Sequence, residues 1–248
     1  AENNAKEDYA AIKFNGLAEG ANLTVIGGSI TATNEKGEPS IAVEKAVASA
    51  NYTISESTAV VGKYSKPVAM IDYGKYQYTF ETIEEAIAEA KAGDVIKLIA
   101  DIETSESIII DKAITIDGNG KTLTYTGTDR AISVENTANG ADLTIKNLTV
   151  VAPKAERGIN YNTTGSLTLE NVTVTAANYA VNLPSSAVGA QVKITNSTLT
   201  GLTTLNIWGA EAEIELNNTA IVSAENNAKE DYAAIKFNGL AEGANLTV

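Results

Sequence analysis

Cysteine is absent from all 248 residues, so the chain has neither a disulfide framework nor a thiolate metal site. That absence leaves the cellular compartment open. Arginine occurs only twice, as Arg130 and Arg157, and the net charge is −13. Binding to nucleic acid or to an anionic membrane surface needs clustered positive charge, so neither partner is expected. The acidic surface serves solubility and self-repulsion instead. No apolar run approaches the roughly 20 residues that span a bilayer, and membrane insertion of this segment is not expected. A signal peptide is missing too; the first residue is Ala and the only methionine is Met70, which leads us to expect a processed or excised segment. What the chain does have is 44% hydrophobic against 20% charged residues, enough to bury a large core as one or two domains.

It also has one stretch twice. Residues 1–25 read AENNAKEDYAAIKFNGLAEGANLTV, and residues 224–248 repeat the same letters without a substitution, an offset of 223 residues. Drift after an ordinary duplication would leave differences. The expectation is an excerpt from a longer tandem array, one period plus an overlap into the next.

A shorter repeat lies inside the long one. Alternating strands ending on a turn residue recur as Leu143-Thr-Ile-Lys-Asn147, Leu167-Thr-Leu-Glu-Asn171, Val192-Lys-Ile-Thr-Asn196 and Ile214-Glu-Leu-Asn-Asn218, their asparagines 24, 25 and 22 residues apart. The same slot reads Ile114-Thr-Ile-Asp-Gly118, Leu23-Thr-Val-Ile-Gly27 and Tyr52-Thr-Ile-Ser-Glu56. A second strand precedes each, as in Ala131-Ile-Ser-Val, Gly158-Ile-Asn-Tyr, Ala180-Val-Asn-Leu, Thr204-Leu-Asn-Ile and Ala11-Ile-Lys-Phe, and a third follows, as in Leu148-Thr-Val and Val172-Thr-Val. Short strands at a period of 20 to 30 residues mark a solenoid. Three per coil predict an all-β fold, a right-handed parallel β-helix, with Val, Ile and Leu inside and Thr, Lys and Glu outside. Asn147, Asn171, Asn196 and Asn218 are predicted to form a structural ladder, because Asn tolerates left-handed geometry and its amide reaches the next coil. Through L-T-I-x-N-x-T-V and Ile116-Asp-Gly-Asn-Gly-Lys-Thr122, residues 94–248 and 9–62 resemble the pectate-lyase-like β-helix superfamily.

One stretch breaks the pattern. Thr82-Ile-Glu-Glu85 has the form of a capping box, and Ile83, Ala86, Ile87 and Ala90 share a stripe, predicting an amphipathic helix over 82–92 closed by Lys91-Ala-Gly93. Two alternating runs about Gly74-Lys75 predict a β-hairpin before it. The string TFETIEEAIAEAKAGDVIKLIADI resembles the N-terminal cap of secreted bacterial β-helix repeats, and an open solenoid edge gives such a cap a physical role. The expected division is 1–62 as the last two coils of one unit, 63–67 as linker, and 68–248 as the next unit, with 68–93 its cap and 94–248 its coils. A whole unit would hold about seven coils, some 34 Å at about 4.8 Å each.

Relatives in that superfamily cleave polyuronides with carboxylates, often calcium-bound, and an Arg or Lys base, or hydrolyse them with Asp residues, a His and an Arg-x-Lys segment. This chain has no histidine, so the hydrolase pattern fails. Asp129-Arg130 and Glu156-Arg157 are the one constellation with a lyase-like composition, set against a plain ion-pair ladder, which we favour. No run of carboxylates marks a calcium loop, and no cofactor or metal is expected. Tyr73, Tyr76 and Tyr78 on the hairpin form either a sugar-docking face or packing, the latter favoured because a hairpin needs a covered face. Trp208, beside Gly209, is a ligand platform or a turn-packing residue. Eight N-x-T sequons, among them Asn22, Asn51 and Asn162, follow from the Asn-turn, Thr-strand alphabet. The expected role is structural and non-enzymatic: a secreted or cell-surface, prokaryotic stalk, adhesin or filament subunit of the bacterial adhesin type. Its expected partners are copies of itself, as tandem repeats or head-to-tail through open solenoid ends, or an extracellular polysaccharide. The alternative is a polysaccharide-binding or polyuronide-lyase module.

Overall fold

The computed structural model describes residues 10–34, 36–37, 39–47, 49–63, 66–74, 76–135, 141–224 and 233–248. Ala1–Asp8, Tyr64, Ser65 and Lys75, on which a late coil turn, part of the linker and half of the hairpin turn were expected, lie outside them. Among the described residues the fold is all-β, with about eight parallel β-helix turns in all and a single short helix in mid-chain. It divides into two compact units, Ala1–Thr82 and Ile83–Val248.

The first unit holds two coils. Strands Ile12–Phe14, Asn22–Val25 and Ser29–Thr31 pair in parallel with Val43–Lys45, Asn51–Ile54 and Ala59–Val61. Alternation turns Phe14, Ile30, Ala42 and Val43 into a shared core, with Leu23, Val25, Tyr52 and Ile54 packed against it. A hairpin, Ala69–Asp72 with Gln77–Phe80, follows in antiparallel register. It is tied to the second coil by polar bonds: Lys45 Nζ donates to the Thr79 carbonyl at 2.7 Å, and Asn51 Nδ2 donates to the Gln77 carbonyl at 3.2 Å.

The second unit is three parallel sheets. Strands before each asparagine turn form the second sheet, from Val95–Leu98 through Leu143–Lys146 to Asn245–Thr247. Those after the turn form the six-stranded third sheet, Ile102–Thr104 to Ala220–Ser223, and those preceding form the six-stranded first sheet, Ile108–Ile110 to Ile235–Phe237. Like residues stack on like: Ile116 on Ile145, Ile145 on Leu169, Leu169 on Ile194. Each of these four is fully buried, so one column of aliphatic side chains forms a spine of the core.

The helix is shorter than the sequence pattern suggests. It spans Ile83–Glu89, burying Ile83, Ala86 and Ile87, and Lys91 lies beyond its last turn. Lys112 takes the capping role from a distance: its ammonium donates to the carbonyls of Ile87, Ala88 and Ala90. This places the helix against Ile108–Ile110, the terminal strand of the first sheet. Among the described residues no helix is long and apolar enough to cross a membrane.

Candidate functional site

The two arginines open consecutive strands of the first sheet, and the register stacks Arg130 on Arg157 and Arg157 on Tyr179. Like charges on neighbouring strands repel, and two carboxylates from the preceding turn offset this. Asp129 Oδ1 lies 3.4 Å from Arg130 Nε and 3.6 Å from Arg157 Nη1, so one carboxylate bridges both guanidiniums. Glu156 Oε1 lies 3.1 Å from Arg157 Nη2. The turn is also held through its backbone, Arg157 N–H donating to the Asp129 carbonyl and Tyr179 N–H to that of Glu156. The Nε atoms of both arginines are buried without a hydrogen-bond acceptor, so the ion pairs with Asp129 and Glu156 hold the two guanidiniums. A guanidinium fork donates hydrogen bonds and accepts none, which suits it to recognition of anionic or hydroxylated groups. Among the described residues no three His, Cys, Asp or Glu side chains gather as a metal-ligating group.

The asparagine column is the most regular polar feature. Asn147, Asn171, Asn196 and Asn218 have φ of 54°, 53°, 50° and 47°, the left-handed turn that ends four strands of the second sheet. Asn171 Nδ2 donates to Asn147 Oδ1 at 3.2 Å and Asn218 Nδ2 to Asn196 Oδ1 at 2.8 Å. Asp117 takes the next rung, accepting Asn147 Nδ2 at 3.0 Å, while Gly118 fills the equivalent turn position. A Cβ on Gly118 would lie 2.5 Å from the Asn147 carbonyl, so glycine there lets the coils close. Burial pushes the Asp117 carboxyl up, but the Asn147 amide, the Asn119 N–H and the charges of Lys146 and Lys97 together outweigh it and hold it below its ordinary value.

A second polar column runs through the first sheet. Ser133, Asn160, Asn182 and Asn206 occupy one register position and are no more than 4% exposed. Asn206 Nδ2 donates to Asn182 Oδ1 at 2.6 Å, Asn182 to Asn160 at 2.8 Å, and Asn238 to Asn206 at 2.6 Å. Simple alternation puts polar side chains in water; here each amide meets the next, and burial follows. Beside it, Tyr161 is wholly buried, its hydroxyl donating to the carbonyls of Ala141 and Thr164, and burial together with the Asp142 charge pushes its pKa far up.

On the hairpin, Tyr73 and Tyr78 meet edge to face at 5.1 Å between ring centres. Tyr76 lies across Gly20, where any Cβ would collide with the ring; the hairpin tyrosines pack on one another and on the coil. A polar recess of about 230 Å³ borders them, lined by Asn22, Asn51, Asp72, Tyr76 and Gln77. In the second unit a shallow groove of about 410 Å³ lies over the polar face of the second sheet, between Thr168, Gln191, Lys193 and Glu215. Trp208 stands apart, 38% exposed at the end of a first-sheet strand, its backbone N–H donating to the Leu183 carbonyl. The structure thus brings Arg130 and Arg157 together with Asp129 and Glu156. Tyr73, Tyr76 and Tyr78 form a separate cluster within the first unit.

The buried Ser-Asn column and the Lys112 cap escaped the sequence reading. The first had a visible signal, a polar residue at the same place in I-S-V, I-N-Y, V-N-L and L-N-I, which alternation alone does not place in the core. The second had none, since Lys112 is remote from the helix in sequence. No curated protein matches the chain. Residues 77–188 match a family described as "Putative pectate lyase-like adhesive domain", a description that names adhesion rather than catalysis. That stretch includes the arginine pair, half of the hairpin, and Asn147, Asn171, Ser133, Asn160 and Asn182 of the two polar columns, so within a chain folded as a parallel β-helix these residues are similar to an adhesive domain.

Proposed function

We propose that this chain is a structural, non-catalytic segment of an extracellular tandem-repeat protein, acting as a stalk, adhesin or filament subunit on a prokaryotic surface. The observation that carries the reading is the match of residues 77–188 to an adhesive β-helix domain. The side-chain chemistry supports it. Asparagine amides are spent on coil-to-coil bonds, and the arginines are tied to Asp129 and Glu156. Such ladders favour a stiff rod that holds a surface at a distance. The test is adhesion of beads coated with the chain to cells and to a panel of extracellular polysaccharides. Retention on at least one surface supports the reading; release of unsaturated uronides from polyuronides, followed by absorbance, overturns it.

A second reading rests on one column. Arg130, Arg157 and Tyr179 align along the first sheet at the spacing of neighbouring strands, a row suited to an anionic polysaccharide. Under it, Arg130→Ala with Arg157→Ala abolishes polysaccharide retention and leaves the fold intact, whereas the stalk reading expects no change in the length or stiffness of the rod.

A further inference from the structure

Five strands of the third sheet turn a charge-free face outward, on a chain whose net charge is −13. In Thr122–Tyr125, Thr149–Ala152, Thr173–Ala176, Thr198–Gly201 and Ala220–Ser223, the inward residues Leu123, Val150, Val174 and Leu199 are buried. The residues flanking them form two outward columns, exposed or half-buried. Register stacks Thr122, Thr149, Thr173, Thr198 and Ala220 in one, and Thr124, Val151, Thr175, Thr200 and Val222 in the other. Strand propensity alone does not produce this, because the outward positions of the second sheet carry Lys97, Asp117, Lys146, Glu170, Lys193 and Glu215.

The hydroxyls of these columns are also unspent. Elsewhere the solenoid uses threonine to bind its own backbone: Thr126 donates to the Thr104 carbonyl, Thr204 to that of Gly201 and Thr219 to that of Ile194. Among the described residues, none of the seven column threonines has a hydrogen-bond partner for its hydroxyl. β-branching holds χ1 stiff, so each offers a hydroxyl and a methyl in a fixed place, and Val151 and Val222 keep the same shape without the hydroxyl. The sites repeat at about 4.8 Å from strand to strand and about 6.6 Å along each strand. These repeats lie close to those of the oxygen atoms on a prism face of hexagonal ice, slightly long in one direction and slightly short in the other. A protein partner would meet none of the Trp, Tyr or Arg anchors that carry interface energy. A sugar ring would find no aromatic side chain to lie on, and an ion no charge.

We propose that this face binds ice. One hydroxyl that replaces one water gains little, but the register of the sheet fixes seven together, and the ordering they need is already made in folding. The inference goes beyond the adhesive reading and does not rest on it.

Ice grown slowly from a solution of the whole chain, with a co-dissolved acidic dye as the measure of passive inclusion, tests this. The chain is expected to be enriched in the ice over the dye. Thr173→Lys with Thr175→Lys places two ammonium groups in the middle of the face and should abolish the enrichment without moving the melting curve. Thr173→Val with Thr175→Val keeps the shape and should weaken it, and Val151→Thr should raise it. Thr144→Lys, the same change on the outward face of the second sheet, should leave it intact. Absence of enrichment in the unsubstituted chain overturns the proposal, as does enrichment that survives the paired lysines or is lost equally in Thr144→Lys. A dimer in light scattering that the paired lysines dissolve, without ice enrichment, overturns it in favour of a second copy of the chain. Retention on an insoluble uncharged polysaccharide that the same lysines abolish, again without ice enrichment, overturns it in favour of a sugar surface.

Discussion

Phe14 and Phe237 are the same residue of one repeated sequence, and they end in opposite environments. Phe14 is 8% exposed and stacks on Tyr52 at 6.2 Å, whereas Phe237 is 44% exposed. The local backbone hardly notices. Gly20 and Gly243 have φ of 68° and 71°, and Ala18 N–H to the Asn15 carbonyl at 2.8 Å is repeated as Ala241 to Asn238 at 2.9 Å. Strand Ile12–Phe14 reappears as Ile235–Phe237. Turns and strand positions thus travel with the sequence, because Gly, Asn and short side-chain bonds determine them within a few residues. Burial does not travel, because it depends on which coil lies alongside.

The sharpest way to break this comparison is to make one substitution in both copies. Phe14→Ala removes a buried ring and its stack and should cost about 3 kcal/mol, the range for a core Phe. Phe237→Ala should cost about 1 kcal/mol, since much of the ring is already in water. Hydrogen exchange over Val43–Lys45 and Leu205–Ile207 reads the two losses separately. Equal losses would mean that the sequence, not the neighbour, sets the energetics.

The buried asparagine column extends the contrast from apolar to polar groups. Asn206 has a partner on each side, so Asn206→Ala strands Asn182 and Asn238 and should cost about 2 kcal/mol in a denaturant melt. Asn238→Ala, with one ladder bond and one backbone bond, should cost about 1 kcal/mol, and the identical Asn15→Ala, at an exposed residue, close to none. This column also shows what the sequence made legible. Strand positions, three-strand coils and the left-handed turns at Asn147 and Asn171 follow from local pattern and were readable. Whether Asn160 faced water was not, because its burial depends on Asn182 and Ser133, each a full coil away. The arginine pair was visible as two Asp/Glu-Arg steps, but the bridging of both guanidiniums by Asp129 required the register.

Asp117 tests the charged end of the turn ladder. Its folded pKa lies below the ordinary value of 3.8, so its stabilisation is present above that value and lost as pH falls through the folded one. Asp117→Asn keeps an acceptor for Asn147 but loses the attraction to Lys146 and Lys97. It should cost about 1 kcal/mol at neutral pH, and the gap from the unsubstituted chain should close in acid, measured as melting temperature against pH. A gap that stays constant would assign the rung to packing alone.

The smallest effect returns to the repeated sequence at its surface. Lys13 meets Glu44 at 2.7 Å, with side chains 46% and 34% exposed, while Lys236 is matched in register with Asn206. An exposed pair gains little, because water and salt screen it and two long side chains must be ordered to make it. Lys13→Gln should therefore cost about 0.5 kcal/mol at low salt and nothing resolvable at high salt, and Lys236→Gln should be silent in both. A double-mutant cycle with Glu44→Gln isolates the pair from any general effect of removing charge from an acidic chain. If Lys13→Gln stabilises the chain, or if its effect survives high salt, then the following coil recognises this surface through packing of the lysine stem rather than through its charge.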